Sequence, residues 1–330
     1  MARPLAAEVE LTPGGMRITE SPLYLDARKP MGLSFVSHAH GDHIARHGTV
    51  IATAATAALL SRRLKTSPAV LTAPYGQAFD VGALRLSLHP AGHMRGSAQL
   101  LVQREGRRVL YTGDLGATES LTAEATEVVR CEVLVLEATF GHPRFRFPPR
   151  AEALAQLDAF IAGCQANDET PVLLAYAVGK SQEVLAHLAK SGHKVRAEAS
   201  ICAMTAVYRE VGCDLPVPAR FNGQVESGEV LLLVPHPTRG RSLQEVPRRR
   251  SAVLTGWAVE AGAARRYGAD TAIALSDHAD FEGLVAYAVA SGARCVFTVH
   301  GFTEPLAAAL RKRGIPARPL AKASQLELFE

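Results

Sequence analysis

The sequence predicts an α/β protein in two parts, stacked sheets first and a parallel-sheet unit after them. From Val9 to about Phe140, short apolar runs alternate with turns containing Gly, Pro or Asp, the spacing of neighbouring strands. From Arg150 onward, apolar positions at helical spacing alternate with strand-like runs, the pattern of an α/β unit. The chain has 330 residues, enough for two domains or one large one, and 48% of them are hydrophobic, enough for a substantial core.

In the first part the runs are Leu23–Leu25, Leu33–Val36, Val50–Ala52, Leu84–Leu88, Leu100–Val102, Arg108–Tyr111 and Val133–Leu136. One helix-like piece, Ala54–Arg63, interrupts them. The character changes at Phe145–Arg150, where a helix begins with Ala153, Leu154, Leu157, Phe160 and Ile161 on one face. A strand at Pro171–Ala175 and a helix at Gly179–Ser191 follow. Strand-like runs then recur at Lys194–Ala197, Val230–Val234 and Ala252–Thr255, with a helix at Cys202–Glu210 among them. After Tyr267 we expect a strand (Thr271–Leu275), a helix (Phe281–Ser291), a strand (Arg294–Val299), a helix (Pro305–Lys312) and a polar tail.

The net charge of +4 admits a polyanionic substrate without demanding one. Five scattered cysteines with no CxxC pair read as reduced thiols. Met1–Gly15 has no apolar signal segment, and no run is long enough to span a bilayer. The expectation is a cytoplasmic protein with no membrane partner.

The chemistry concentrates at Ser37–His43. Here His38, His40, Asp42 and His43 follow directly on an apolar run that reads as a buried strand. Alternate side chains of extended chain share a face, so His38 and His40 can grip one ion. Asp42 and His43, one turn later, suit a second. A histidine-rich polar loop is the plain alternative, but the order of the groups speaks against it. Ala91-Gly92-His93 offers a third histidine to the first ion, and Tyr111-Thr112-Gly113-Asp114 offers a carboxylate able to bridge two. Imidazole and carboxylate suit zinc or manganese, so we expect two divalent ions, zinc with manganese the alternative.

The HxHxDH pattern, with Gly-His and Gly-Asp after it, resembles the metallo-β-lactamase superfamily. Glu137–Gly141 (EATFG), Gly179–Glu183, Leu275–Asp280 (LSDHAD) and Phe297–Gly301 (FTVHG) resemble its β-CASP branch of nucleases. A narrower likeness, in Glu137–Pro148, Ala175–Glu183 and LSDHAD, is to the bacterial DNA exonucleases associated with DNA ligase and an Lhr-type helicase. The resemblance implies a metallo-β-lactamase αββα sandwich over 1–144 and 268–330 and an inserted β-CASP α/β cap over 145–267. The C-terminal tail is 321–330.

The resemblance also implies roles. His38, His40 and His93 would hold one ion and Asp42, His43 and His300 the other, with Asp114 between and Asp26 supporting the histidines by hydrogen bonds. Asp42, Glu137 and His278 would be catalytic: His278 protonates the departing oxygen, and Glu137 keeps His278 charged.

DNA and RNA are both in play. His300 resembles the RNA-processing members, where Artemis-like DNA nucleases carry an aliphatic residue. In the tail, Gln325, Leu326, Leu328 and Phe329 look like a sliding-clamp pentapeptide, which binds in extended form. Arg144 and Arg146 alternate with Phe145 and Phe147, so guanidinium groups could hold phosphates while a ring stacks on a base. Lys180, Arg248, Arg249 and Arg250 are further candidates for phosphate contact, though a solvated loop explains the arginine run as well. Gly179-Lys180-Ser181 is no P-loop, because Leu174 stands where that loop needs glycine.

The reading is a dinuclear metal-dependent DNA exonuclease of repair, with DNA, the clamp, DNA ligase and an Lhr-type helicase as partners. The alternative is an RNA-processing β-CASP ribonuclease; a tRNase Z-like or glyoxalase II-like hydrolase leaves the downstream motifs unexplained. Inactive scaffolds of the branch lose metal ligands, and none is missing here.

Overall fold

Six short strands lie side by side in sequence order: β1 (Val9–Thr12), β2 (Gly15–Ile18), β3 (Leu23–Leu25), β4 (Leu33–Phe35), β5 (Thr49–Ala52) and β6 (Ala69–Thr72). The pairs up to β3 are antiparallel and those from β3 to β6 parallel. A second sheet contains β7 (Ala78–Val81), β8 (Leu84–Pro90), β9 (Ala98–Arg104), β10 (Arg107–Tyr111) and β11 (Val133–Glu137). Two late strands, Cys295–Val299 and Ala317–Pro319, extend it beyond β11. This computed structural model describes residues 8–64, 69–116, 119–235, 246 and 248–321. It divides into a unit of Met1–Glu119, Ala123–Phe145 and His278–Glu330, and a unit of Ser120–Thr122 and Arg146–Asp277.

In the first unit the two sheets share one core. Ile18, Leu25, Phe35 and Ile51 from one sheet pack with Leu86, Leu100, Val102, Val133, Val135 and Phe297 from the other. The opposite face of the second sheet, including Leu134 and Leu136, is covered by Leu284, Ala288, Leu306 and Leu310 of helices Phe281–Ser291 and Thr303–Arg311. Strand β11 is therefore buried on both faces, which is why VLVLE shows no polar alternation until its last residue. The helix Phe281–Ser291 has clear end signals. Asp280 accepts a hydrogen bond from the Gly283 amide at 2.8 Å, and Gly292 closes the helix in the left-handed region.

The second unit is a parallel sheet in which β12 (Thr170–Leu174), β13 (Val195–Ala197), β14 (Ala219–Arg220), β15 (Val230–Leu233), β16 (Arg249–Leu254) and β17 (Thr271–Ile273) take the order 14-13-15-12-16-17. Leu173, Leu232 and Leu254 face the helical residues Leu157, Ile161, Leu185 and Ile201; Val172, Leu231 and Val253 face the other way. Leu232→Ala is expected to cost about 2–5 kcal/mol of stability, read as a lowered urea midpoint with unchanged slope.

The fold class expected from the sequence, stacked sheets with a separate parallel α/β unit, is the one the chain adopts. Three details differ. The sequence puts the return to the first part at Tyr267, yet Thr271–Ile273 pairs with β16, so the second unit runs on to Asp277. Ser120–Thr122 also belongs to that unit, because Ser120 Oγ, the Leu121 amide and Thr122 Oγ1 all donate to the buried Glu183 at 2.6–2.9 Å. Finally, Arg249 and Arg250 open a strand rather than sit in a loop; being exposed and polar, they carry no apolar signal that would reveal it.

Candidate metal centre

The ends of strands deliver the site. His38, His40 and His43 lie on the loop leaving β4, Asp26 follows β3, His93 follows β8 and Asp114 follows β10. Glu137 is the last residue of β11, His300 follows the strand Cys295–Val299, and His278 precedes the helix Phe281–Ser291. The first loop is pinned where it leaves the strand: the Val36 amide donates to Ile51 O, and the Ala98 amide donates to Ser37 O, each at 2.9 Å.

His38 Nε2 and His93 Nε2 both lie 3.0 Å from His40 Nδ1. Asp114 Oδ2 is 3.5 Å from His38 Nε2 and 3.8 Å from His93 Nε2. A tetrahedral ion with bonds of about 2.1 Å sets its ligands about 3.4 Å apart, so these four atoms fit one cation. Asp114 Oδ2 also lies 3.4 Å from His43 Nε2, and the ring of His300 is 5.6 Å from that of His43. His300 Nε2 is buried without a hydrogen-bond partner, as a nitrogen reserved for a cation would be. Its backbone φ of 60° is a strained value that only a rigid surround maintains.

The electrostatics agree. Burial, and then repulsion from His43, hold His38 well below the usual imidazole range, so its ring stays neutral and able to ligate. Burial likewise lowers His300. For His43 burial acts downward too, but Asp114 and Asp26 outweigh it and hold the imidazole well above its usual value. Asp114 is kept well below the carboxylate range; burial opposes this, and His43 and His38 overcome it. Two buried carboxylates close to one ring mark a place where positive charge is wanted.

Asp26 is tied to these groups, accepting from His43 Nδ1 at 2.8 Å. Glu137 is fully buried and accepts from the amides of Leu115 (2.8 Å) and Thr139 (3.1 Å). His278 Nδ1 meets it at 3.2 Å, which turns Nε2 toward Asp114 Oδ2 at 4.0 Å. His278 is thus held at the edge of the cluster.

Other expected residues lie farther out. Asp42 is 62% exposed, 3.8 Å from His43 Nε2 and 3.8 Å from Arg28. It borders the second position without joining the close groups, and a Cβ on the neighbouring Gly41 would touch Arg63 at 3.4 Å. Arg144 is exposed and lies over the rings of Phe145 and Phe302. Phe145 itself is buried among Phe140 and Phe302, whereas Phe147 is half-buried, so of the two rings Phe147 keeps the stacking expectation.

In the second unit Arg146, Arg248, Arg249 and Arg250 are exposed. Lys180 is not: it is buried, with Nζ 2.6 Å from Asp277 Oδ1. Breaking a buried pair costs about 3–5 kcal/mol, more than a phosphate contact returns. The expected phosphate role of Lys180 therefore gives way to a structural one. Gln325, Leu326, Leu328 and Phe329 lie outside the described residues, as do Arg239 and Arg241. All five cysteines are free, and among the described residues no helix is long and apolar enough to cross a membrane.

Sequence reasoning missed Ser37 and Tyr111, both of which reach Asp26. The available signal was slight: a hydroxyl just before the first ligand histidine, and a phenol at the end of an apolar strand.

Residues 15–163 match the beta-lactamase superfamily domain family. A probable DNA ligase of Opitutus terrae is 37% identical over 316 residues, covering 95% of this chain and 31% of that protein. The chain thus spans about a third of that relative's length. Ribonuclease TTHA0252 of Thermus thermophilus is 27% identical over 195 residues, covering 51% of this chain and 45% of the relative. A solved structure, a protein of unknown function from Enterococcus faecalis V583, is similar with a TM-score of 0.62 at 14% identity, covering 88% of this chain and 79% of that one; the likeness is one of fold.

Proposed function

We propose that this chain, whose residues 15–163 match the beta-lactamase superfamily domain and which gathers buried histidines and aspartates at one site, is a dinuclear metal-dependent nuclease of the metallo-β-lactamase superfamily, a β-CASP DNA exonuclease of repair. One observation carries the hydrolase reading: a single oxygen, Asp114 Oδ2, lies 3.4–4.0 Å from the Nε2 atoms of His38, His43, His93 and His278. A carboxylate so placed suits the space between two cations. Divalent ions bound there supply Lewis acidity, activating water and neutralising charge on a phosphoryl group.

The chain's own groups do the rest. His38, His40 and His93 would hold one ion, and His43, His300 and Asp42 the other. Glu137 fixes His278 through Nδ1, so that Nε2 gives its proton to the departing oxygen. Arg144, Arg146 and the Arg248–Arg250 run contact phosphates. In this reading the second unit is the β-CASP cap.

Support for DNA comes from the Opitutus relative, a probable DNA ligase of which this chain spans one part. A nuclease that trims ends is a natural companion of ligation. DNA ligase, an Lhr-type helicase and the sliding clamp, through 325–329, stay within the proposal as partners. Ribonuclease TTHA0252 and the presence of His300 favour a second reading, RNA processing. End-labelled single-stranded DNA and RNA of one sequence, incubated with zinc or manganese, test both. Shortening of the DNA from one end is the expected result. Cleavage of RNA alone would transfer the assignment to the second reading, and intact strands with both ions bound would remove the nuclease proposal.

A further inference from the structure

Four donors converge on Asp26. The Ser37 amide reaches Oδ1 at 2.7 Å, while Ser37 Oγ (2.5 Å), Tyr111 Oη (2.8 Å) and His43 Nδ1 (2.8 Å) all reach Oδ2. Oδ2 already receives the phenol and the imidazole, so the proton between Asp26 and Ser37 is the serine's own. A serine hydroxyl has only one. Toward His38 Nδ1, 2.9 Å away, the Ser37 oxygen can therefore only accept. His38 must carry its proton on Nδ1, which leaves a bare lone pair on Nε2, the atom facing His40 and Asp114.

The opposite arrangement fails on distance. If Ser37 gave its proton to His38, two oxygen acceptors would stand 2.5 Å apart with no hydrogen between them. Nor can Ser37 turn aside easily. It is buried, and a Cβ on Gly113 would come within 2.5 Å of the Ser37 Cβ.

We propose that Ser37 is a positioning residue that fixes the tautomer of His38, so that Asp26 orients one ligand of each ion, His43 directly and His38 through the serine. The proposal deepens the dinuclear reading above and rests on it. One buried carboxylate then serves both halves of the centre. Loss of Ser37 disturbs the ion held by His38, His40 and His93, and loss of Asp26 disturbs both.

Two measurements on the zinc-loaded full chain test this, and neither uses a nucleic acid. Long-range 1H–15N spectra of the histidines should show His38 bound through Nε2, with a slowly exchanging proton on Nδ1. This readout needs no variant, so it survives a misfolded mutant. Chelator competition, with each ion assigned through its histidine resonances, should show Ser37→Ala weakening the His38 ion about 10–100-fold, and Asp26→Asn weakening both. Ligation by His38 through Nδ1 would overturn the proposal. So would a Ser37→Ala protein that holds both ions as tightly as the parent, or one that loses only the ion at His43. A chain that binds zinc as described yet cleaves no strand would count against the nuclease reading alone.

Discussion

Asp114→Ala is expected to lower hydrolysis by about a thousandfold or more and to leave less than two ions per chain. A cation's stabilisation of a reacting phosphoryl group is worth several kcal/mol, and each ~1.4 kcal/mol is tenfold in rate. Asp114 Oδ2 lies close to the Nε2 atoms of both histidine groups, 3.5 Å from that of His38 and 3.4 Å from that of His43. Its loss leaves those rings facing one another with no anion between them. Zinc content by elemental analysis, set beside turnover of a labelled strand, reads both effects. Full zinc occupancy with near-normal turnover would show that Asp114 does not bridge.

His278→Ala is expected to lower turnover by about 10²–10⁴-fold, the range for a lost general acid, while both ions stay bound. The geometry offers a competing role: with Asp114 and Glu137, His278 forms a group compact enough to ligate. Glu137 argues against that role. Its two oxygens already receive the Leu115 and Thr139 amides and meet His278 Nδ1. A carboxylate so engaged orients a neighbour better than it binds an ion. Metal content decides between the two roles, since a ligand's removal lowers it in step with turnover and an acid's removal does not. A substrate with a better leaving group should also recover part of the lost rate in His278→Ala, because such a group needs less help from a proton.

Much of this was legible in the sequence, for identifiable reasons. The helix Phe281–Ser291 has the bounds expected of it, because Phe281, Leu284, Val285 and Ala288 make a helical stripe between Asp280 and Gly292. Closely spaced histidines and an aspartate announced the centre, since few other patterns demand them. Lys180 was harder. Its charge suggested a contact with phosphate, and only the fold brings Asp277, far along the chain, to its ammonium. Ser37 and Tyr111 were invisible for the same reason, because their meaning depends on what lies across from them. Arg249 and Arg250 hid a strand because exposed polar residues at a strand's start leave no apolar rhythm.

The two-faced burial of Val133–Glu137 has one more consequence. The strand acts as a ruler between parallel neighbours, with Val135 opposite Tyr111 on one side and Glu137 opposite Val299 on the other. A single-residue deletion within it would draw Ala138 into the place of Glu137 and exchange the inward and outward sets, Val133 and Val135 for Leu134 and Leu136. Loss of the Glu137–His278 contact and mispacking of both cores would then come as one event. This segment should tolerate swaps among Val, Leu and Ile far better than any change of length.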